Sequence, residues 1–300
     1  MANAHWLALT TVSGIGGVTA RKLIERFGDV ESIFEAAPAE LMEIPRVTET
    51  MAAQILAAPI EQLENELLSL SDEGIELLTW GDDRFPVLLR PLPDAPMVLF
   101  MHGALKHSDD KAVAIVGTRE PTQSAVEVAY MIGRELAAHG LTIVSGLALG
   151  VDTAGHRGAI ETGRTIAVLG SGIRVIHPKE NAALAEEIAK AGAILSEVHP
   201  NTPPKGQNLK ARDRIISGLS RAVIVIEAGE KSGSLDTASK AIKQGRLVYA
   251  VPGSAGTDQL IASGAQRVDP SAIKFDQLVA EMTEPPIPNE GSAPQQSSFW

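Results

Sequence analysis

The sequence of 300 residues contains no cysteine, few aromatic residues and no long apolar run. Without cysteine there is neither a disulfide framework nor thiolate chemistry. No apolar run approaches the roughly 18 residues that cross a bilayer, and the N-terminus lacks the basic and apolar series of a secretion signal. We therefore expect a soluble, cytoplasmic protein that makes no contact with a membrane.

Several motifs of nucleotide and metal enzymes are also missing. The Gly-x-Gly at 170–172 lacks the third glycine of the dinucleotide fingerprint. No Walker lysine follows a glycine turn, and the histidines show no metal-ligand spacing. We expect neither a cofactor nor a metal, and nicotinamide, flavin and ATP-hydrolysing enzymes are disfavoured.

The net charge of −11 is unevenly distributed along the chain. Residues 1–110 contain 7 Lys and Arg against 18 Asp and Glu, whereas residues 111–300 contain 19 of each. Affinity for nucleic acid depends on local positive potential rather than on the charge of the whole chain. The acidic total therefore does not exclude DNA as a partner.

Glycine turns are the most prominent feature of the second part of the chain. Most of them follow an apolar run that is typical of a buried parallel strand. Parallel strands that end in glycine turns build one crevice at the carboxyl edge of the sheet, lined with free backbone amides that suit phosphate. The candidate phosphate-binding residues in these turns are Gly117, Thr118, Arg119, Ser145, Gly146, Gly170, Ser232 and Gly233.

Basic residues accumulate in a proline-rich segment, 196–220, that leads into a predicted helix. The start of a helix favours an anion through its backbone dipole. Arg212 and Arg214 precede two isoleucines, so we expect their backbone to be pinned while both guanidiniums reach the crevice. Together with Lys205 and Lys210, they are interpreted as phosphate or nucleic-acid contacts rather than as a solvated helix start.

Asp152 and His156 lie four residues apart and share one face of a predicted helix. A hydrolase could use such a pair as an acid–base couple. Because no nucleophile or metal set accompanies them, a role in the crevice wall is favoured.

The predicted organisation is a helical module over 1–70, a connector and α/β domain over 71–284, and a disordered tail over 285–300. In the module, 12–18 is typical of a helix-hairpin-helix turn, Gly28 is a predicted helix cap, and a second, weaker hairpin is predicted at 41–47. The connector is expected to contain short strands. The fold class is α/β, a Rossmann-like, doubly wound parallel sheet behind a small SAM-like helical domain.

Residues 6–282 resemble the DNA-processing protein A family, known as DprA or Smf. The resemblance is carried by many motifs in one order rather than by any single turn. The motifs lie at Trp80–Arg90, Ile115–Arg119, Val144–Asp152 with His156, Ile194–Glu197, Arg214–Ser220, Glu227–Ala228 with Ser232–Leu235, Ala250–Gly253 and Leu260–Ala265.

The resemblance implies a protein of natural transformation and recombination that is not an enzyme. Such a protein binds single-stranded DNA, protects incoming DNA, loads RecA onto it and self-associates, here as an expected homodimer. By match to the family motifs, Gly117 and Arg119 would contact the strand, and Arg212, Lys205 and Lys210 would add positive charge.

The sequence departs from the family pattern at two crevice positions. Leu209 stands where the family usually has an aromatic residue, which could contribute about 1–3 kcal/mol per stacked base. Asp213 places a carboxylate near the expected phosphates. Only a short tail follows Met282, so the winged-helix domain frequent in the family is not expected.

Two alternative functions remain open at this point. Residues 252–257 resemble a turn of nucleoside-monophosphate phosphoribohydrolases, which predicts a nucleotide-binding or nucleotide-cleaving enzyme on the same scaffold. Those enzymes follow the turn with a catalytic glutamate, whereas this chain has Asp258 and Gln259. The other alternative is a protein that binds a partner through its acidic N-terminal module.

Overall fold

The structure is a computed structural model that describes residues 2–283. The predicted tail at 285–300 therefore lies outside the described residues. The chain opens with the helices α1 Ala2–Thr11, α2 Gly17–Phe27, α3 Val30–Glu35, α4 Pro38–Met42, α5 Glu49–Leu56 and α6 Ile60–Asp72. We refer to α1–α6 as the N-terminal module.

Strands and helices alternate in the remainder of the chain. The strands are β1 Ile75–Thr79, β2 Val98–Gly103, β3 Ala112–Val116, β4 Thr142–Ser145, β5 Arg164–Leu169, β6 Ala193–Ser196, β7 Ala222–Val225, β8 Leu247–Ala250 and β9 Gln266–Arg267. The helices are α7 Gln123–Ala138, α8 Val151–Thr162, α9 Ala182–Ala191, α10 Gly206–Gly218, α11 Gly233–Lys243, α12 Ala255–Ala262 and α13 Phe275–Thr283.

All of these strands form one sheet in the order β1-β2-β6-β5-β4-β3-β7-β8-β9. In this order, every pair of neighbouring strands from β6 to β9 is parallel. Strands β1 and β2 add an antiparallel edge beside β6. The chain builds the sheet outward from β3 in one direction and then returns to continue at β7 in the other. The predicted doubly wound α/β fold is confirmed, with its topological switch point between β3 and β7.

The sheet is buried because its central strands are apolar on both faces. In β3 every residue is buried, and alternate residues enter different cores. Ala112, Ala114 and Val116 pack on the face covered by α10 and α11, whereas Val113 and Ile115 pack on the face covered by α7 and α8. The glycine turns are thereby held at one edge of the sheet.

The N-terminal module contains two similar helix-hairpin-helix turns. Gly14 has a φ of 93° in the first, and Arg46 has a φ of 76° at the corresponding place in the second. This left-handed region favours glycine, so Arg46 is held there by the hairpin around it. Gly28 ends α2 with a φ of 89°, and its N–H donates to Ile24 O, as predicted.

Aromatic packing attaches the module to the sheet. Trp6 of α1 meets Trp80, which follows β1, edge to face at 5.4 Å, and the Trp80 indole N–H donates to Pro96 O at 2.8 Å. The Arg21 guanidinium lies 4.8 Å from the Trp80 ring centre. The module and one face of the sheet consequently share a continuous apolar core.

Candidate phosphate-binding crevice

A crevice of about 490 Å³ opens at the carboxyl edge of the sheet, beside the switch point. We call it the switch-point crevice. It is lined by the loop after β3, the start of α11 and the first part of α10. The residues that line it include Gly117, Thr118, Arg119, Asp152, Gly206, Leu209, Lys210, Arg212, Asp213, Ser232, Gly233 and Ser234.

The loop after β3 has a defined backbone. A Cβ on Gly117 would lie 2.5 Å from Val151 Cγ2, so this position requires glycine. The Thr118 N–H donates to Glu227 O at 2.8 Å, and the Glu227 carboxylate accepts from the Thr122 N–H at 3.1 Å and hydroxyl at 2.7 Å. Glu227 therefore ties the loops after β3 and β7 together across the switch point, a role that the sequence analysis missed.

Two cations at the crevice keep their charge available. Arg119 and Lys210 are exposed, and within residues 2–283 neither side chain forms a hydrogen bond or an ion pair. Lys205 is also exposed and immediately precedes α10, although it does not line the crevice. The structure thus brings Gly117, Thr118, Arg119 and Lys210 to one crevice.

Two helix N-termini meet at this crevice. The first residues of α10 and α11, Gly206 and Gly233, both line it. Gly233 is exposed, and a Cβ at this position would have no neighbour within 4 Å. Unpaired N–H groups and the helix dipole make each start favourable for an anion.

Arg212 is buried in the wall of the crevice rather than extended into it. Its side chain is 7% exposed. Nη1 donates to Gly146 O at 2.7 Å and also to Val168 O, and Nε donates to Asp213 at 3.2 Å. The expectation of a free guanidinium is wrong here, because two backbone carbonyls at the ends of β4 and β5 accept from Nη1 and the Asp213 carboxylate accepts from Nε.

Arg214 also lacks the free guanidinium that was expected. Its two terminal nitrogens donate to the two carboxylate oxygens of Glu197, each at 2.6 Å, and Nε donates to Asp94 O at 2.9 Å. Arg214 does not line the switch-point crevice. The α-helical spacing of two residues directs its side chain to the opposite side from Arg212.

The turn after β4 does not offer the free amides that were expected. The N–H groups of Gly146 and Ala148 donate to the Asp152 carboxylate at 3.1 and 3.3 Å. The Ser145 hydroxyl donates to Ile115 O at 2.6 Å. The Asp152 side chain therefore already accepts from the amides of this turn, and Ser145 and Gly146 contribute to the crevice wall.

Gly170 has a packing role at the end of β5. A Cβ at this position would lie 2.7 Å from Leu209 Cα, so glycine allows α10 to approach the strand. Leu209 itself is half-buried and lines the crevice. The position at which the family has an aromatic residue thus faces the crevice, with an apolar side chain.

His156 and Asp152 do not form a catalytic couple. The buried His156 Nδ1 lies 2.6 Å from Thr165 Oγ1, which itself donates to Ile143 O at 2.8 Å, so Nδ1 carries the proton. Burial lowers the pKa of His156 to about 3, which keeps the ring neutral. The histidine bonds to the sheet while the aspartate bonds to the turn after β4.

Residues 2–283 contain neither a candidate membrane span nor a candidate metal site. None of the helices there combines the length and the apolar character needed to cross a bilayer. The same residues contain no group of three or more His, Cys, Asp or Glu side chains placed to hold a metal ion.

Replacing Arg212 with Ala should lower the free energy of unfolding by about 3 kcal/mol, because two carbonyls and Asp213 lose a buried partner. Urea denaturation followed by circular dichroism measures this. The matched control is Arg119→Ala, which removes an exposed arginine and should change stability by about 0.5 kcal/mol or less. Equal stabilities of the two variants would contradict the assigned role of Arg212.

Stability should also depend on the ionisation of Asp213. Burial raises the pKa of this carboxyl to about 6, against an opposing effect of Arg212. The folded chain therefore binds the proton more tightly than the unfolded chain, so the stabilising contribution is complete below about pH 4 and is lost as pH rises through about 6.

Between about pH 5 and pH 7.5, the wild type should lose about 1 kcal/mol of unfolding free energy relative to Asp213→Asn. Comparing the two proteins cancels the titration of the other groups. Urea unfolding at both pH values measures the difference, and parallel pH profiles would contradict the raised pKa.

Comparison with known proteins agrees with the architecture. Residues 76–282 match the family model of DNA recombination-mediator protein A, and residues 7–58 match that of the SAM-like helix-hairpin-helix tandem. Protein Smf of Synechocystis sp. is 37% identical over 96% of this chain and 74% of its own length. DNA processing protein DprA of Bacillus subtilis is 36% identical over 84% of this chain and 91% of its own.

Solved structures give the same result. The X-ray structure of DNA processing protein A from Streptococcus pneumoniae superposes with a TM-score of 0.82 and 32% identity, covering 94% of this chain and 98% of that one. The structure of DNA processing protein A from Helicobacter pylori, which gives insight into its single-stranded DNA binding mode, superposes with a TM-score of 0.62 and 32% identity. The match covers 69% of this chain and 95% of that one. By fold, motifs and coverage, the chain belongs to the DNA recombination-mediator protein A family.

Proposed function

We propose that this chain binds single-stranded DNA in the switch-point crevice and acts as a DNA-binding protein rather than as an enzyme. The observation that carries the proposal is the convergence of the Gly117–Arg119 loop and two helix starts on one crevice, together with two cations whose side chains have no partner within residues 2–283. The single-stranded DNA binding of the Helicobacter pylori relative supports it.

The crevice suits a phosphate backbone better than a small cofactor. Arg119 can bind phosphate oxygens through two N–H groups, and Lys210 adds a flexible point charge. The Thr118 hydroxyl accepts from the Glu120 N–H at 3.2 Å, which leaves its own proton for a phosphate oxygen. These contacts read no base edge, so binding should show little sequence preference.

Catalytic alternatives have less support. Asp152 and His156 are committed to internal partners. Asp258, which stands where the phosphoribohydrolases have their glutamate, accepts from its own turn at Gly253 N–H at 3.0 Å. A carboxylate that caps its own turn is poorly placed as a base, so we favour binding over cleavage.

Membership of the family supports a proposal about the wider role. We propose that the chain protects incoming single-stranded DNA during natural transformation and recombination in the cytoplasm, and that it loads RecA onto the strand as a homodimer. An open crevice that contacts phosphates and leaves base edges exposed is compatible with transfer of the strand to a second protein.

Changing both Arg119 and Lys210 to Ala should weaken binding to an oligo-dT strand at least tenfold at about 50 mM salt. It should also reduce the slope of log affinity against log salt by about 1.4, because each lost phosphate contact contributes about 0.7. Fluorescence anisotropy at several salt concentrations measures both quantities.

The matched control is Arg157→Ala, which removes an exposed arginine of α8 that does not line the crevice. Its affinity and salt slope should equal those of the wild type. A wild type that fails to bind, or a double variant with an unchanged slope, would overturn the proposed site.

Leu209→Phe should strengthen binding about fivefold, because an aromatic ring at the crevice can stack on a base. The same substitution at Leu247, an exposed residue at the opposite edge of the sheet, serves as the control. Equal affinities of the two variants would place Leu209 away from the bound strand.

A further inference from the structure

Helix α6 of the N-terminal module presents two carboxylates to the loops that follow β5 and β6. Glu66 lies on α6 and Glu73 immediately follows it, two turns further along the same face. Glu66 pairs with His199 at 2.7 Å. Glu73 accepts two hydrogen bonds from Arg174, one of them from Nε at 2.8 Å. We call these four residues the α6 clasp.

The two loops held by the clasp are joined to each other. Arg174 lies in the loop after β5, and His199 lies in the loop after β6. The Arg174 N–H donates to Pro200 O at 3.1 Å, and the Gly172 N–H donates to Thr202 O at 2.8 Å. A Cβ on Gly172 would overlap the Pro200 carbonyl, so the loops are in close contact. These contacts join the two loops into one unit.

This unit leads directly into the basic segment of the crevice. Pro203 and Pro204 separate it from Lys205, and α10 then begins at Gly206. Proline restricts the backbone to a narrow range of φ. We therefore expect a displacement at His199 to reach Lys205.

The carboxylates of the clasp are electrostatically unfavourable for DNA, because they place negative charge near a site that would bind phosphates. Glu66 and Glu73 place two carboxylates beside the His199 ring and the Arg174 guanidinium, close to a segment that would bind phosphate. Arg174 in turn lowers the pKa of Glu73, so this carboxylate remains ionised. Partly exposed ion pairs of this kind contribute little to the stability of the fold. Their geometry, which joins the module to both loops, is the feature that distinguishes them.

We propose that the N-terminal module sets the position of the Lys205–Lys210 segment through the α6 clasp, which makes Glu66 and Glu73 positioning residues for DNA binding. This inference depends on the proposed single-stranded DNA function of the crevice. It assigns the acidic module a role in the affinity of a site that the module does not itself line.

The test uses the full chain with Glu66→Gln and Glu73→Gln combined. Positioning and simple electrostatics predict opposite results, because the double substitution removes two negative charges near the site. Simple electrostatics predicts tighter binding to oligo-dT, whereas loss of positioning predicts binding about fivefold weaker and a smaller salt slope. Fluorescence anisotropy at several salt concentrations measures both.

The matched control is Glu61→Gln combined with Glu64→Gln. These residues lie on the same helix, and within residues 2–283 neither forms an ion pair. The control changes the charge equally and should bind as tightly as the wild type or slightly more tightly. In a background that carries Lys205→Ala and Lys210→Ala, the clasp substitutions should have no further effect on affinity.

Hydrogen exchange of the free protein gives a second readout that requires no DNA. Amides in 197–210 should exchange faster in the clasp variant than in the control. Exchange at the control rate overturns the inference, even if the wild type does not bind DNA and the proposed function fails. Wild-type binding together with equal affinities of clasp variant and control overturns the inference and leaves the proposed function intact.

A charge exchange provides a variant that retains the ion pair. Glu73→Arg alone should weaken binding and accelerate exchange in 197–210, since it places two arginines together. Adding Arg174→Glu should restore both values toward those of the wild type. Failure of the second substitution to restore either value would contradict a positioning role for this pair.

Discussion

The buried guanidinium of Arg212 holds the carboxyl edge of the sheet together through its hydrogen bonds. Parallel strands end there with carbonyl groups that need hydrogen-bond donors. Arg212 supplies them to Gly146 O and Val168 O, the ends of β4 and β5, and balances its charge with Asp213. Because Arg212 belongs to α10, the same contacts hold the start of that helix, and with it Lys210, against the crevice.

Burial divides the cations of this edge into two groups. A buried charge requires partners, so Arg212 is surrounded by carbonyls and a carboxylate. Exposed cations are solvated by water and need no internal partner. Within the described range 2–283, the side chains of Arg119 and Lys210 have none, so both can contact a ligand. The acidic module fits the same division, since its carboxylates pair with Arg174 and His199 at the loops instead of facing the crevice.

The fold was predictable because its signals are local. The apolar run Ala112–Val116 has the same bounds in the structure as in the sequence. The cap at Gly28 was predictable because glycine readily adopts the positive φ that ends the helix. The order of strands, turns and helices along the chain specifies the doubly wound sheet. The positions of Gly117, Thr118 and Arg119 were predictable for the same reason, since they directly follow a strand whose end defines the crevice.

The partners of the long basic side chains were not predictable in this way. Arg212 bonds to a carbonyl 66 residues away, and Arg214 to one 120 residues away. An arginine has five donors on a long stem, and the acceptors that occupy them are determined by which strand ends and loops the fold brings near. The sequence alone determined the sheet, its glycine turns and the family. Only the tertiary fold decided which basic side chains bond within the protein and which remain available to a ligand, because that depends on burial and on contacts between distant segments.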